Sequence, residues 1–306
     1  MGCCPREFEV SGNAIQDPKK QIKFMTYNVW SREDVVVYKR MQAISDLVYK
    51  HSPDVIFFQE ITPYILKIFQ SFSWWKEYHS SPISQEQRRE KNFCMMLSKS
   101  PLENYACWKF TTTPTGKSYL EADINPSPGS TTMKPIRVAT TQLECPCPPE
   151  PMHCMERYTQ AEHAVAALSS AENVVFGGDM CWDDDTDLPF PLPAGWDDAS
   201  SRCGWTYDGV WNEKVTEFGA YRASQRSLRR RSDRFVCKLK DYTPNSVVVI
   251  GDQEVGPKYK RKHSNCDYDL FGPMPSCHTN CEFTRLALMP SSHRGLVLIL
   301  VPNEPA

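Results

Sequence analysis

The segment ENVVFGGDMCWDD, Glu172 to Asp184, decides how the rest of the chain is read. Its first half is apolar and β-branched, the composition of a strand buried inside a sheet. Two glycines then let the backbone turn, and Asp179 stands at the strand exit. A rigid strand end opening onto a loop is a common mount for a catalytic carboxylate. Two residues further on comes Cys181. A thiol is a weak hydrogen-bonding group and a soft ligand, out of keeping with a carboxylate that serves phosphate and a hard cation.

Other stretches of the same make-up lie on both sides of this one. IKFMTYNVW (Ile22 to Trp30), DVIFFQEI (Asp54 to Ile61), NFCMMLSK (Asn92 to Lys99), IRVATTQLE (Ile136 to Glu144), SDRFVCKL (Ser232 to Leu239) and GLVLILV (Gly295 to Val301) all read as strands. DVVVYKRMQAISDLVYKH, from Asp34, has apolar residues near helical spacing and stops at Ser52-Pro53-Asp54. MERYTQAEHAVAALSSA, Met155 to Ala171, is an alanine-rich helix. PCPPEP, Pro146 to Pro151, is a loop, and Glu121 to Lys134 and Gly256 to Asn280 are expected as long surface loops. Several strands follow one another with no helix between. The expected fold class is therefore α/β, a four-layer sandwich of two packed mixed β-sheets flanked by helices. The expected division is an extension at 1–21, one domain at 22–302 and a short tail at 303–306.

The 306 residues, 41% hydrophobic and 24% charged, suffice for one large core. A net charge of −2 offers no bulk attraction to nucleic acid, so any polyanion would need a local patch. SLRRRSDR, Ser227 to Arg234, and KYKRKH, Lys258 to His263, are the candidates, each also readable as a solvated face. The N-terminus has no apolar secretory region, and Gly2, Cys3 and Cys4 form only a partial acylation pattern, with Arg6 where Ser or Thr is usual. No apolar run is long enough to span a bilayer. The 13 cysteines are expected as free thiols of a reducing compartment, nuclear or cytoplasmic rather than secreted. His263, Cys266, Cys277, His278 and Cys281 lie close enough in sequence to be weighed as zinc ligands, though their spacing fits no strong zinc pattern.

Polar residues recur at strand ends: Asn28, Glu60, Gln142 and Asp179, with Asp233 and His293 just before two later strands. Each alone is a turn, cap or core residue. Gathered on one edge, they hold two acids for metal or water, an amide, and a histidine with an aspartate partner. Phosphodiester hydrolysis needs such a set: a cation to neutralise the phosphate, a carboxylate to orient water, an imidazole to stabilise charge.

In the order TYNVW, DVIFFQE, TTQLE, FGGDMCW, RRRSDRFV and PSSHRGLVL, these motifs resemble the endonuclease/exonuclease/phosphatase superfamily, in particular its plant-type tyrosyl-DNA phosphodiesterase 2 branch. ERYTQA, PLPAGWDD and CGWTYD add to the likeness, which runs from Lys23 to Val301. The resemblance implies that Glu60 binds Mg²⁺, with Mn²⁺ as substitute, and that Asn28 contacts the phosphate or a metal-bound water. It implies that Asp179 orients or deprotonates the attacking water, and that His293, oriented by Asp233, stabilises the pentavalent phosphate. Arg157 is expected on the phosphate side or in a structural role. Trp205 and Tyr207 are expected as a stacking surface or as ordinary core aromatics. The implied partners are DNA with a 5′-phosphotyrosyl end and a topoisomerase-derived peptide attached to it, and the chain is expected as a monomer.

Three positions depart from the family pattern. Cys181 stands for Asn, Gln142 for His and Ser292 for Asp. Losing one preorganised polar group in such a site costs about 2–4 kcal/mol, and groups acting together do not add simply. Three functional readings therefore stay open: a slowed metal-dependent phosphodiesterase, a catalytically decayed module that binds DNA or protein, and another phosphoesterase of the superfamily.

Overall fold

The computed structural model describes residues 21–126, 134–146, 153–208, 229–256, 259–262, 283–286 and 288–304. The partial acylation pattern and the His263–Cys281 cluster lie outside these residues. Among the described residues, no helix is long and apolar enough to cross a membrane.

One sheet contains β1 (Ile22–Asn28), β2 (Val55–Ile61), β3 (His79–Ser80), β4 (Phe93–Ser98), β13 (Tyr242–Ile250) and β16 (Gly295–Pro302), in the order β13-β16-β1-β2-β4-β3. The other contains β5 (Glu103–Lys109), β6 (Ser118–Ile124), β7 (Ile136–Gln142), β8 (Val174–Asp179), β9 (Asp197–Asp198) and β12 (Asp233–Lys238), in the order β5-β6-β7-β8-β12-β9. Both sheets are mixed: β1 runs parallel to β2 and β7 parallel to β8, while the outer pairings are antiparallel. Two short ladders, β10 (Tyr207–Asp208) with β11 (Arg229–Arg230) and β14 (Tyr259–Lys262) with β15 (Phe283–Leu286), complete the list.

Side-chain alternation along the strands builds three cores, and three cores make four layers. Phe24, Val55, Phe57 and Met96 face inward and meet Leu120, Val138, Val175 and Phe235 of the other sheet. Met25, Tyr27, Ile56 and Phe58 face outward and pack on α1 (Val37–His51) and α2 (Pro63–Gln70) through Met41, Ile44, Ile65 and Phe69. Ala139 and Phe176 face the opposite flank and pack on α3 (Cys154–Leu168) through Ala161, Ala164 and Val165. The expected sandwich is thus the observed one. Between the sheets Gln59 Nε2 donates to Thr140 Oγ1 at 3.1 Å, and Gln59 also bonds Thr26 beside it on β1.

Gly177 explains the first of the paired glycines. A Cβ there would lie 2.5 Å from a Phe235 ring carbon and 3.0 Å from Phe57, so only glycine lets the sheets close at this point. At Gly178 a Cβ would meet the Thr141 carbonyl of the neighbouring strand.

Some expected boundaries shift. The expected loop from Glu121 begins inside β6, where Leu120, Ala122 and Ile124 are buried with Glu121 and Asp123 between them, a period-two strand. The expected loop from Gly256 contains β14. The helix expected from Asp34 starts at Val37, because Val36 takes a left-handed conformation (φ 39°) that ends the preceding turn. α2, for which the sequence carried no expectation, begins at Pro63 with Thr62 as its cap, Oγ1 accepting the Ile65 amide at 3.1 Å.

Candidate active site

The parallel pairs bring four strand ends to one edge. Asn28 stands opposite Gln59, one residue before Glu60, in the first sheet, and Gln142 stands opposite Asp179 in the second. The antiparallel β12 enters at the same edge, with Asp233 paired to Asp179. His293 reaches it from the segment before β16 through a bridge to Tyr207. The structure therefore collects Asn28, Glu60, Gln142, Asp179, Asp233 and His293 in one cluster.

Asp179 is the hub. Its Oδ2 accepts from Asn28 Nδ2 at 2.9 Å and Gln142 Nε2 at 3.2 Å, and its Oδ1 from Ser232 Oγ at 2.7 Å and the Cys181 amide at 2.9 Å. Burial opposes charge on this carboxylate. The nearby His293, Ser232, Asn28 and the Cys181 amide outweigh burial and lower its pKa to about 2.

Glu60 is half-buried. Its Oε1 accepts from Gln142 Nε2 at 2.9 Å and Asn28 Nδ2 at 3.1 Å, and its Oε2 from the amide and hydroxyl of Ser31, both at 2.9 Å. Burial pushes its pKa up, but the Ser31 amide, His293, Asn28 and Gln142 together leave it below the ordinary glutamate value. Glu60 (φ 61°), Cys181 (φ 50°) and Trp30 (φ 57°) all adopt left-handed backbone that non-glycine residues rarely take. Strain of this kind is found where surrounding contacts hold a side chain in a required direction. At Glu60 it accompanies a register shift between β2 and β4.

His293 is buried, with Nδ1 2.8 Å from Asp233 Oδ2 and Nε2 3.8 Å from Asp179 Oδ2. Burial alone would lower its pKa. Asp233, Asp179 and Glu60 reverse that and raise it to about 9, so the ring is an imidazolium at neutral pH. Burial raises the pKa of the Asp233 carboxyl, with His293 pulling against it. Ser291 Oγ accepts the His293 amide at 3.1 Å and donates to the Asn28 carbonyl at 2.7 Å, tying the histidine segment to the end of β1.

The three departing positions are all in or beside this cluster. Gln142 bridges the two carboxylates through its amide nitrogen, and its Oε1 accepts from Lys117 Nζ at 2.8 Å. Ser292 is buried, its carbonyl accepting the Asp208 amide at 3.2 Å. Cys181 corrects the expectation of free thiols: it forms a disulfide with Cys145, with Cα atoms 4.9 Å apart. Both residues lie just past the ends of the parallel neighbours β7 and β8, which sets them side by side. Cys94, Cys107, Cys154, Cys203 and Cys237 are free among the described residues.

The acidic groups here can hold a divalent metal. Asp179, Asp233 and His293 have ligand atoms within 4.8 Å of one another, as do Cys145, Asp179 and Cys181. The disulfide removes both sulfurs from the second set. The first is fully buried and already paired internally. Glu60 is the hard-oxygen donor nearest solvent, with Asn28 beside it, and it suits a cation that keeps several waters. The four donors on its oxygens mean that such a cation displaces at least one of them.

Arg157 and the first basic stretch, each expected in a binding or a structural role, have partners within the protein. Arg157 is almost fully buried and forms a bidentate pair with Asp187 at 2.6 and 3.1 Å while donating to the Glu144 carbonyl at 2.9 Å. These contacts fit the structural role among the two expected for it. Arg231, in the expected basic patch, pairs with Asp198 at 2.6 Å and Asp184 at 3.1 Å, which spends its charge within the protein. Arg229 is paired with Asp208 at 2.9 Å, and Arg230 lies over the Tyr207 ring at 4.4 Å. Tyr207 is buried, its ring 4.8 Å from that of His293. Trp205 carries Arg229 and Arg294 over its ring, at 4.6 and 3.7 Å.

Several groups that shape the site were missed in the reading of the sequence. Ser31, Ser232 and Ser291 each lie within three residues of a singled-out residue, so adjacency was the available signal. Buried Arg40 donates to the carbonyls of Val29, Trp30, Arg32, Val35 and Pro290 and fixes the loop that follows Asn28. Nothing in a helix reading separates it from a solvated arginine.

A model of the Endonuclease/Exonuclease/phosphatase family matches residues 25–286. No curated protein sequence matches the chain. Among solved structures, D. rerio TDP2 complexed with a single-strand DNA product superposes with a TM-score of 0.67 at 18% identity, covering 92% of this chain and 98% of that one. TDP2 from Caenorhabditis elegans gives 0.66 at 16%, over 92% and 74% of the two chains. The human Nocturnin catalytic domain with bound sulfate gives 0.59 at 14%, over 95% and 100%. At such identities the likeness is one of fold. The family match, running over most of the chain and including every residue of the cluster except His293, makes this protein a member of the endonuclease/exonuclease/phosphatase family.

Proposed function

We propose that the chain is a metal-dependent phosphodiesterase that hydrolyses 5′-phosphotyrosyl–DNA bonds, at a rate below that of a member with an intact site. The observation that carries this reading is the Asp233–His293 pair aimed at Asp179, with Asn28 joining Asp179 to Glu60. In the proposed reaction the His293 imidazolium donates to a phosphoryl oxygen as charge builds there, and Asp233 holds its ring. Asp179, held as an anion, orients the attacking water; as the water oxygen bonds to phosphorus the bond from phosphorus to the tyrosyl oxygen breaks, and the water's proton passes through solvent to that oxygen, leaving a 5′-phosphate and free tyrosine. Asn28 keeps the two carboxylates apart at a set distance by donating to both. Mg²⁺ or Mn²⁺, when bound at Glu60, would neutralise phosphate charge. DNA as substrate is supported by the TDP2 neighbour solved with a single-strand DNA product.

The disulfide at the position of the family asparagine favours a second reading, a non-catalytic DNA-binding module. Single-turnover kinetics on a 5′-phosphotyrosyl oligonucleotide with Mg²⁺ separate the two. The expected outcome is slow turnover that falls about 10²–10³-fold in Asp179→Asn and in His293→Asn. A wild-type chain that binds the oligonucleotide and releases no tyrosine leaves the binding module standing.

A further inference from the structure

Lys117 lies outside every motif singled out in the sequence, yet it is bonded into the cluster. An ammonium only donates hydrogen bonds, so its 2.8 Å contact fixes which end of the Gln142 amide is the oxygen. The amide nitrogen is thereby turned to Glu60 Oε1 at 2.9 Å and Asp179 Oδ2 at 3.2 Å. Reversed, the amide would set an oxygen against two carboxylates.

The loop that delivers Lys117 is itself built from the exit of β7. Glu144, two residues after Gln142, accepts from Thr113 Oγ1 at 2.7 Å, Thr115 Oγ1 at 2.7 Å and the Thr115 amide at 3.2 Å. The Lys117 amide in turn donates to Thr113 Oγ1 at 2.5 Å. One strand end therefore places both partners of the Lys117–Gln142 contact. Beside that contact opens a cavity of about 400 Å³, lined by Lys91, Asn92, Phe93, Lys117, Ser118 and Gln142 among others.

We propose that Lys117 is a positioning residue of this site: through Gln142 it fixes Glu60 and Asp179, and it brings a positive charge to the position where the family histidine stands. The proposal rests on the phosphodiesterase reading for its substrate, a phosphate ester that must approach two carboxylates. A neutral amide with a lysine behind it performs in two residues what a protonated histidine performs in one.

The test compares wild type, Lys117→Met, Lys117→Arg, Gln142→His and the double variant Lys117→Met/Gln142→His. Two readouts are used: single-turnover cleavage of a 5′-phosphotyrosyl oligonucleotide, and binding of a 5′-phosphorylated oligonucleotide by fluorescence anisotropy. Lys117→Met is expected to weaken anisotropy binding at least about tenfold and to lower the single-turnover rate constant at saturating enzyme as well, as loss of orientation does. Lys117→Arg keeps both within about threefold, since it still donates to Oε1. The double variant recovers most of the loss, because the new histidine brings its own charge and no longer faces Lys117. Unchanged binding in Lys117→Met, or a double variant as weak as Lys117→Met, overturns the proposal whether or not the wild type turns over. Absence of turnover in wild type, with the binding pattern as expected, overturns only the phosphodiesterase reading.

Discussion

His293 and Asp179 carry opposite shifts, and together they set a pH window. The folded pKa of His293, about 9, lies above its ordinary 6.5. Its contribution to stability is therefore complete below pH 6.5 and is lost as the pH rises through about 9. The folded pKa of Asp179, about 2, lies below its ordinary 3.8, so its contribution is complete above 3.8 and fades as the pH falls through about 2. Unfolding free energy from urea titrations should hold level between these limits and decline on the alkaline side, and His293→Asn should flatten that decline. A wild-type profile that stays level to about pH 10 would show that the imidazolium is not held by Asp233 and Asp179. The acids and the histidine were readable in sequence because each ends or precedes an apolar run. Lys117 and Cys145 were not readable, since their partners sit on other strands and only pairing register brings them together.

At the scale of elements, the disulfide joins the loops leaving β7 and β8 across a sequence separation of 36. Closing a loop of that length restricts the unfolded chain, with an expected stabilisation of about 4 kcal/mol in the chain-entropy model. Cys145→Ser, compared with wild type in thermal melts with and without a thiol reductant, should lower the midpoint, and reductant should then have no further effect on the variant. Equal midpoints for all four samples would mean the cross-link constrains nothing. Elements buried on both faces were legible for a plain reason: β1, β2, β8 and β16 are runs of apolar residues. β5 and β13 were not, because they lie at sheet edges with mostly exposed or half-exposed side chains, and β13 includes Pro244, tolerated at an edge. α2 was passed over because its eight residues are too short for a clear period.

At the scale of the molecule, the two sheets must approach closely at Gly177, and a methyl group there has only the Phe235 and Phe57 rings to push against. Gly177→Ala should therefore cost about 1–3 kcal/mol, read as a lower denaturant midpoint with the slope unchanged. A midpoint equal to wild type would mean that the sheets yield without penalty. The same closeness gives Gln59 a second significance. Glu60 belongs to one sheet and Asp179 to the other, so the spacing of the two carboxylates is the offset between two layers that could, in a purely oily interior, slip past one another. Hydrocarbon contacts are indifferent to small lateral slippage, but a directional bond is not. The bond from Gln59 to Thr140 joins the residue before Glu60 to the residue two before Gln142. It acts as a dowel through the sandwich, set one residue from the active edge, and it converts the stiffness of the whole stack into a fixed gauge for the site.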